Sequence, residues 1–79
     1  MVELVKYIVG ELVDNKEAVE VVEKEESPKV TIITVTVDKE DVGKVIGRNG
    51  KVANSLRTIV KSASIKSGKR FIVKIGERD

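Results

Sequence analysis

Two runs rich in β-branched residues, separated by a short polar segment, constrain the fold of this chain more than any other feature. Residues 18–25 and 30–37 each have the composition of a β-strand, and apolar residues alternate with threonines in the second run. The segment 26–29 contains the only proline and is too short for a crossover between parallel strands. The sequence therefore predicts an antiparallel hairpin with Ile33 and Val35 on one face.

An amphipathic helix is predicted before the hairpin. Apolar residues recur there at helical spacing over about three turns, and the helix is expected to end near Asp14 and Asn15. The residues predicted to face the core are Leu4, Val5, Ile8, Leu12 and Val13.

Two further helices are predicted after the hairpin. Asp38 is expected to cap a short helix over residues 39–46, and this interpretation is preferred to a divalent-cation site formed with Glu40 and Asp41. A longer helix is expected from residue 50 to about residue 66. Its predicted core-facing residues are Val52, Leu56, Ile59, Val60 and Ala63.

A third strand over residues 71–75 completes the pattern, after a helix stop at Ser67 and Gly68. The resulting order is α-β-β-α-α-β. We therefore expect one α+β domain over residues 1–79, with three helices packed on a three-stranded sheet.

The composition excludes several classes of chemistry. The chain has no cysteine and no histidine, so it offers no disulfide, no thiolate zinc site and no histidine-dependent enzyme. We expect neither a cofactor nor catalysis. Its apolar stretches fall far short of the roughly 20 residues that cross a bilayer. The sequence therefore predicts a cytoplasmic protein that does not contact membranes.

The formal net charge of +2 hides a strong asymmetry along the chain. Residues 1–26 have a balance of −5, whereas residues 27–79 have a balance of +7. Between Val42 and Ile75 there are nine basic residues and no acidic residue. Such a one-sided cationic surface attracts polyanions, although a solvated surface without a partner is the alternative.

A pair of glycines within this acid-free segment is the strongest functional signal. Gly47 and Gly50 lie at the predicted junction of two helices and flank Arg48 and Asn49. The segment lacks residues that a Walker A loop or a dinucleotide fingerprint requires. Glycines beside a helix N-terminus let a sugar-phosphate backbone approach closely, and Arg48 adds positive charge. A helix–turn–helix whose glycines serve only the turn is the structural alternative.

The segment Val45-Ile46-Gly47-Arg48-Asn49-Gly50-Lys51 resembles the signature of the K-homology (KH) domain. The predicted order of elements resembles the type II KH arrangement, and the chain as a whole is most similar to the small bacterial KhpA family. The core motif region is residues 35–75. The resemblance implies that the glycine loop clamps the backbone of about four single-stranded nucleotides while the bases lie in a narrow, largely aliphatic groove.

The resemblance also implies which residues bind RNA. The backbone-gripping segment comprises Gly43, Lys44, Val45, Ile46, Gly47, Arg48, Asn49, Gly50 and Lys51. Ala53 is implied to line the groove and Arg57 to reach base edges. Lys69 and Arg70 are candidate contacts at the variable loop, which is very short here. Family members often carry a larger aliphatic residue at the position of Ala53, so a shallower groove is implied.

The predicted function is non-catalytic binding of single-stranded RNA, in the manner of a global, chaperone-like regulator. The resemblance implies a homodimer, or pairing with a larger KH protein of the KhpB (Jag-like) type. Ser55, Thr58, Ser62 and Ile65 form an uncharged stripe that is either a dimer seam or ordinary surface. The alternative function is a protein-interaction adaptor with little dependence on RNA. Single-stranded DNA also stays open, since no residue identifies a reader of the 2′-hydroxyl.

Overall fold

The order of secondary-structure elements confirms the predicted α-β-β-α-α-β arrangement. A computed structural model describes residues 1–78. The regular elements are α1 (Val2–Leu12), β1 (Glu20–Ser27), β2 (Val30–Asp38), α2 (Val42–Ile46), α3 (Lys51–Ser64) and β3 (Arg70–Arg78). Short 3₁₀ turns occupy Lys16–Ala18, Arg48–Gly50 and Ile65–Ser67. Over residues 1–78, no helix is both long enough and apolar enough to cross a membrane.

The three strands form one mixed sheet in the order β1-β2-β3. The predicted hairpin is confirmed, because β1 and β2 pair in antiparallel orientation with Val21 opposite Val35. The hairpin turn is tighter than predicted, and β1 extends to Ser27. In contrast, β2 and β3 are parallel, with Val30 opposite Arg70. Parallel neighbours need a long crossover connection, which α2 and α3 supply.

The core lies between one face of the sheet and the three helices. In β2 the buried positions alternate with half-buried ones, as the apolar–threonine pattern predicts. All three helices and the strands β2 and β3 contribute side chains to one buried cluster. Its members are Val5, Val9, Val13, Ile33, Val35, Val37, Val45, Leu56, Val60 and Val73.

The predicted core face of α1 is partly wrong. Val9 is fully buried, whereas Leu4 is 38% exposed. The buried side chains Val5, Val9 and Val13 follow a spacing of four residues, which is the row that a helix presents to a flat partner. The helix itself ends at Leu12, slightly earlier than expected, because Val13 has an extended backbone.

The predicted core face of α3 is also displaced. The buried residues are Ala53, Leu56, Val60 and Ser64, whereas Ile59 is 42% exposed. Successive helical residues are rotated by about 100°, so the row through Leu56 and Val60 excludes Ile59. The buried hydroxyl of Ser64 is satisfied because it donates to the Lys61 carbonyl at 2.9 Å.

The predicted N-cap at Asp38 is wrong. Asp38 is the last residue of β2, and α2 begins only at Val42 with Asp41 at its N-cap position. The Asp38 carboxylate instead accepts a hydrogen bond from the Glu40 amide at 2.9 Å, which stabilises the turn. Within residues 1–78, no group of three acidic side chains is placed to hold a metal ion.

The connection between α2 and α3 depends on backbone geometry that favours glycine. Gly47 has φ 76° and ψ 175°, and Gly50 has φ 74°. A Cβ atom on Gly47 would lie 2.4 Å from Val52 Cγ2 and 2.9 Å from the Val52 backbone nitrogen. A Cβ atom on Gly50 would meet only Asn54, at 3.9 Å. Gly47 is therefore constrained by both conformation and packing, and Gly50 by conformation alone.

We expect the two glycines to differ sharply in their tolerance of alanine. Gly47→Ala should lower the free energy of unfolding by about 3 kcal/mol, because both the backbone geometry and Val52 oppose a side chain. Gly50→Ala should lower it by about 1 kcal/mol, because only the left-handed φ opposes the change. Urea unfolding followed by circular dichroism measures both losses. Equal losses would contradict the close packing of Gly47 against Val52.

Candidate nucleic-acid interface

The loop from Gly47 to Lys51 projects positive charge at the start of α3. Arg48, Asn49 and Lys51 are all exposed, and Asn49 adopts a left-handed backbone with φ 56°. Gly50, which has no side chain, occupies the N-cap position of α3. The positive end of the helix dipole therefore lies beside two cationic side chains. This arrangement favours an anionic ligand that approaches close to the backbone.

The residues of the predicted gripping segment divide into exposed and buried ones. Gly43 is exposed, Ile46 is 38% exposed, and Gly47 and Gly50 are half-buried. Val45, however, is fully buried in the core, so its side chain has no surface to offer an RNA. The inclusion of Val45 among contact residues is therefore wrong, and its contribution is to anchor α2.

Ala53 is also largely hidden. It is only 4% exposed and lies on the buried side of α3 with Leu56 and Val60. Its side chain thus faces the core side of the helix, where packing against the sheet removes it from solvent. Any contact between Ala53 and a base is limited to that small remaining surface.

A groove of about 600 Å³ runs between α3 and β3. It combines basic side chains with apolar ones. The lining residues are Arg57, Lys61, Ser64, Ile65, Gly68, Lys69, Arg70, Phe71, Ile72 and Val73. The structure thereby brings together Arg57, Lys69 and Arg70, which the sequence placed on separate elements.

Lys61 and Ile65 line the groove but were missed by the sequence analysis. Both follow Arg57 at intervals of four residues, and this spacing places the side chains on one face of α3 and of the turn that continues it at Ile65. This four-residue spacing in the sequence is the signal that could have identified Lys61 and Ile65 as groove residues. The sequence pattern instead places Ile65 in an uncharged stripe that is either a dimer seam or ordinary surface.

Arg57 is oriented by contacts on both sides of its guanidinium group. Its Nε donates to the Val73 carbonyl of β3 at 3.5 Å, and its Nη1 donates to Asn54 Oδ1 at 3.3 Å. The guanidinium therefore spans from α3 to the edge strand. Arg57 lines the groove, and its guanidinium has further N–H groups beyond the two that make these hydrogen bonds.

Lys44 does not extend from the loop as a free cation. Its ammonium pairs with the Asp14 carboxylate and lies 3.3 Å from Asp41 Oδ1. The hydrogen bond to Asp14 raises the pKa of Lys44 above its ordinary value, although partial burial opposes this rise. The acidic partner Asp14 lies thirty residues away in the chain, and no sequence pattern signalled the pair.

Asp41 is buried at the junction of α1 and α2 and holds the two helices together through its carboxylate. Its side chain is 4% exposed, and its Oδ2 accepts a hydrogen bond from the Asn15 backbone amide at 3.0 Å. That hydrogen bond is the main cause of a lowered pKa at Asp41, and Lys44 contributes further, while desolvation opposes both. Asp41 thus ties the segment after α1 to the start of α2.

We expect Asp41→Asn to destabilise the protein at neutral pH and to weaken its acid dependence. Because the folded-state pKa lies below the ordinary value of 3.8, the ionised carboxylate stabilises the fold above pH 3.8. That contribution is lost as the pH falls through the folded-state pKa. Thermal unfolding above and below pH 3.8 measures both effects, with Glu17→Gln as an exposed control. If the variant kept the full acid dependence, other carboxylates would be responsible.

The chain is similar to known proteins over nearly its whole length. The model of the family described as KhpA/KhpB, KH domain matches residues 2–75. The RNA-binding protein KhpA of Caldanaerobacter subterraneus subsp. tengcongensis is 51% identical over 75 residues, which cover 95% of this chain and 99% of the relative. The protein of the same name from Clostridium perfringens is 47% identical over 77 residues, with 95% and 99% coverage. That of Aquifex aeolicus is 43% identical over 75 residues, with 95% and 94% coverage.

No solved structure gives a significant match to this chain. These relatives are named for RNA binding. The match of the family model and the identity to relatives over nearly their full length confirm the resemblance inferred from the glycine loop. The chain belongs to the KhpA/KhpB family of KH domains.

Proposed function

We propose that this chain is a non-catalytic module that binds single-stranded RNA in the cytoplasm, with residues 1–79 acting as one KH domain. The observation that carries the proposal is the exposed cationic loop at the start of α3, together with the groove between α3 and β3. The relatives named RNA-binding protein KhpA support RNA as the ligand.

The loop holds the sugar-phosphate backbone in this proposal. Gly47 and Gly50 carry no side chains, so phosphates approach the backbone closely. Arg48 and Lys51 supply charge, and the Asn49 amide supplies hydrogen bonds. The dipole of α3 adds a favourable field at its N-terminus.

The groove between α3 and β3 holds the bases. Ile65, Phe71 and Ile72 line the groove and provide apolar contact, and Arg57, which lines the same groove, reaches base edges in this proposal. Lys61, Lys69 and Arg70 line the same groove and neutralise further phosphates. With one phenylalanine and one tyrosine in the chain, apolar contact replaces base stacking. Such contacts select weakly among bases, in keeping with a global, chaperone-like regulator.

We expect Arg48→Asp with Asn49→Asp to abolish RNA binding while the fold is kept. Both side chains are exposed, and the change puts negative charge where phosphates would lie. Fluorescence anisotropy with a labelled oligouridine should show an affinity weaker by about tenfold or more, because phosphate contacts are lost. In the wild-type protein, three or four phosphate contacts predict a slope of about −2 to −3 for log K against log salt.

A matched control separates the loop from net charge. Lys24→Glu with Ser27→Glu makes the same change in net charge at exposed positions of β1, at the opposite edge of the sheet from β3. This control should bind with an affinity close to that of the wild-type protein. Normal RNA binding by the loop variant would refute the clamp. If a partner protein still co-purifies after nuclease treatment and the chain does not bind RNA, the adaptor function is favoured. If the chain binds oligodeoxyuridine as tightly as oligouridine, single-stranded DNA is favoured as a ligand.

We also propose that the exposed uncharged face of α3 mediates self-association, or pairing with a larger KH protein of the KhpB type. Ser55, Thr58 and Ser62 are exposed there, and the neighbouring Ile59 is 42% exposed. The combined name of the KhpA/KhpB family supports such a partner. Apolar surface left open beside small polar residues permits close packing between helices.

We expect Ile59→Glu to shift the protein toward the monomer in sedimentation velocity experiments, because it places a charge at the centre of that face. Leu4→Glu makes the same kind of change at a residue of α1 that is 38% exposed, and it should leave the oligomeric state unchanged. A wild-type protein that is monomeric at all concentrations, alone and with the larger KH protein, would refute this proposal.

A further inference from the structure

Lys44 is the one basic residue between positions 44 and 57 whose charge is neutralised within residues 1–78. Both ion pairs found in this part of the chain involve its ammonium, with Asp14 on one side and Asp41 on the other. Within the described residues 1–78, Arg48 and Lys51 have no such pair. The basic segment therefore offers fewer free charges to a polyanion than the sequence indicates.

The two acidic partners differ in what they do for the fold. Asp41 is almost fully buried and accepts the Asn15 amide, so its carboxylate belongs to the structure of the α1–α2 junction. The Asp14 side chain is 85% exposed, and its carboxylate accepts a hydrogen bond from Lys44 Nζ. Asp14 is therefore a surface group whose main contact is with a cation beside the loop.

We propose that Asp14 lowers the RNA affinity of the loop by holding Lys44 in an intramolecular ion pair. This inference rests on the proposed function, since it concerns the same binding site. Lys44 lies three residues before Gly47, and its flexible stem brings the ammonium within reach of a phosphate seated on the loop. Asp14 and the RNA backbone thus compete for one ammonium.

The modest strength of the Asp14–Lys44 ion pair limits how far Asp14 lowers the RNA affinity. An ion pair with an exposed carboxylate contributes only about 0–1 kcal/mol, so releasing Lys44 from Asp14 raises the RNA affinity by no more than about fivefold. With Asp14 neutral, Lys44 keeps a contact with Asp41 at 3.3 Å but gains freedom to turn toward the loop. In the wild-type protein, Lys44 then contributes little to the salt dependence of RNA binding.

A double-mutant cycle tests the proposal. Binding of a short labelled oligouridine is measured over a series of salt concentrations for the wild type, Asp14→Asn, Lys44→Gln and the double variant. Asp14→Asn should bind about fivefold more tightly at about 0.1 M salt, with a slope steeper by about 0.7, which corresponds to one more phosphate contact. Lys44→Gln should lose much less affinity than Arg48→Gln, because Asp14 already holds the Lys44 ammonium. The double variant should match Lys44→Gln.

Three results would overturn the inference. In the first, Asp14→Asn binds RNA with the affinity and salt slope of the wild type. In the second, Lys44→Gln loses as much affinity as Arg48→Gln, which would mean that Lys44 already contacts RNA. A gain that persists in the double variant would assign the effect to the long-range field of Asp14 and not to Lys44. Glu17→Gln, which removes an exposed charge close to Asp14 in the chain, is the control for that field.

Failure of the proposed function has a different signature. A wild-type protein without measurable affinity for the oligonucleotide refutes RNA binding by the loop, and this inference with it. If the wild type binds and the loop variant Arg48→Asp with Asn49→Asp does not, the function stands and the cycle alone decides about Asp14. Thermal unfolding of all four proteins shows whether any difference in binding follows from a loss of folded protein.

Discussion

The parallel pairing of β2 with β3 is the constraint from which the rest of the structure follows. Parallel strands cannot be joined by a tight turn, so the chain between Asp38 and Arg70 must cross over the sheet. α2 and α3 are that crossover, and their apolar faces cover the sheet. The glycine loop lies where the crossover changes direction, and α3 returns beside β3. The loop and the groove are thus consequences of one connection.

The same short segment serves the core and the candidate binding surface. Val45 and Ala53 are buried on either side of the loop, and Gly47 packs against Val52 so closely that no side chain fits there. These contacts fix the loop between two helices. What remains accessible is the part that packing does not use, namely the charged and amide side chains of Arg48, Asn49 and Lys51 together with open glycine backbone. Rigid placement of this kind lowers the entropy lost when a ligand binds.

The acidic and basic parts of the chain meet directly at the junction of α1 and α2. There Asp41 receives the Asn15 amide, and Lys44 bridges Asp41 and Asp14. This contact orders the start of the crossover and also removes one cation from the surface available to polyanions. The basic side chains that line the groove, by contrast, form no ion pair within residues 1–78. The available positive charge is therefore concentrated at the loop and along the α3–β3 groove.

The sequence by itself determined the order of the elements, the hairpin and the KH motif, because each depends on residues close together in the chain. Alternating threonines mark β2, a four-residue link excludes a crossover, and two glycines three residues apart mark the loop. Only the tertiary structure decided which row of each helix is buried, since a shift of one residue turns a side chain by about 100° and the choice depends on the partner surface. For that reason Val9 is buried in the core where Leu4 was predicted to be, and Ile59 is exposed. The pair of Lys44 with Asp14 likewise joins residues thirty positions apart, and no local pattern encodes a contact that exists only once α1 and α2 are packed together.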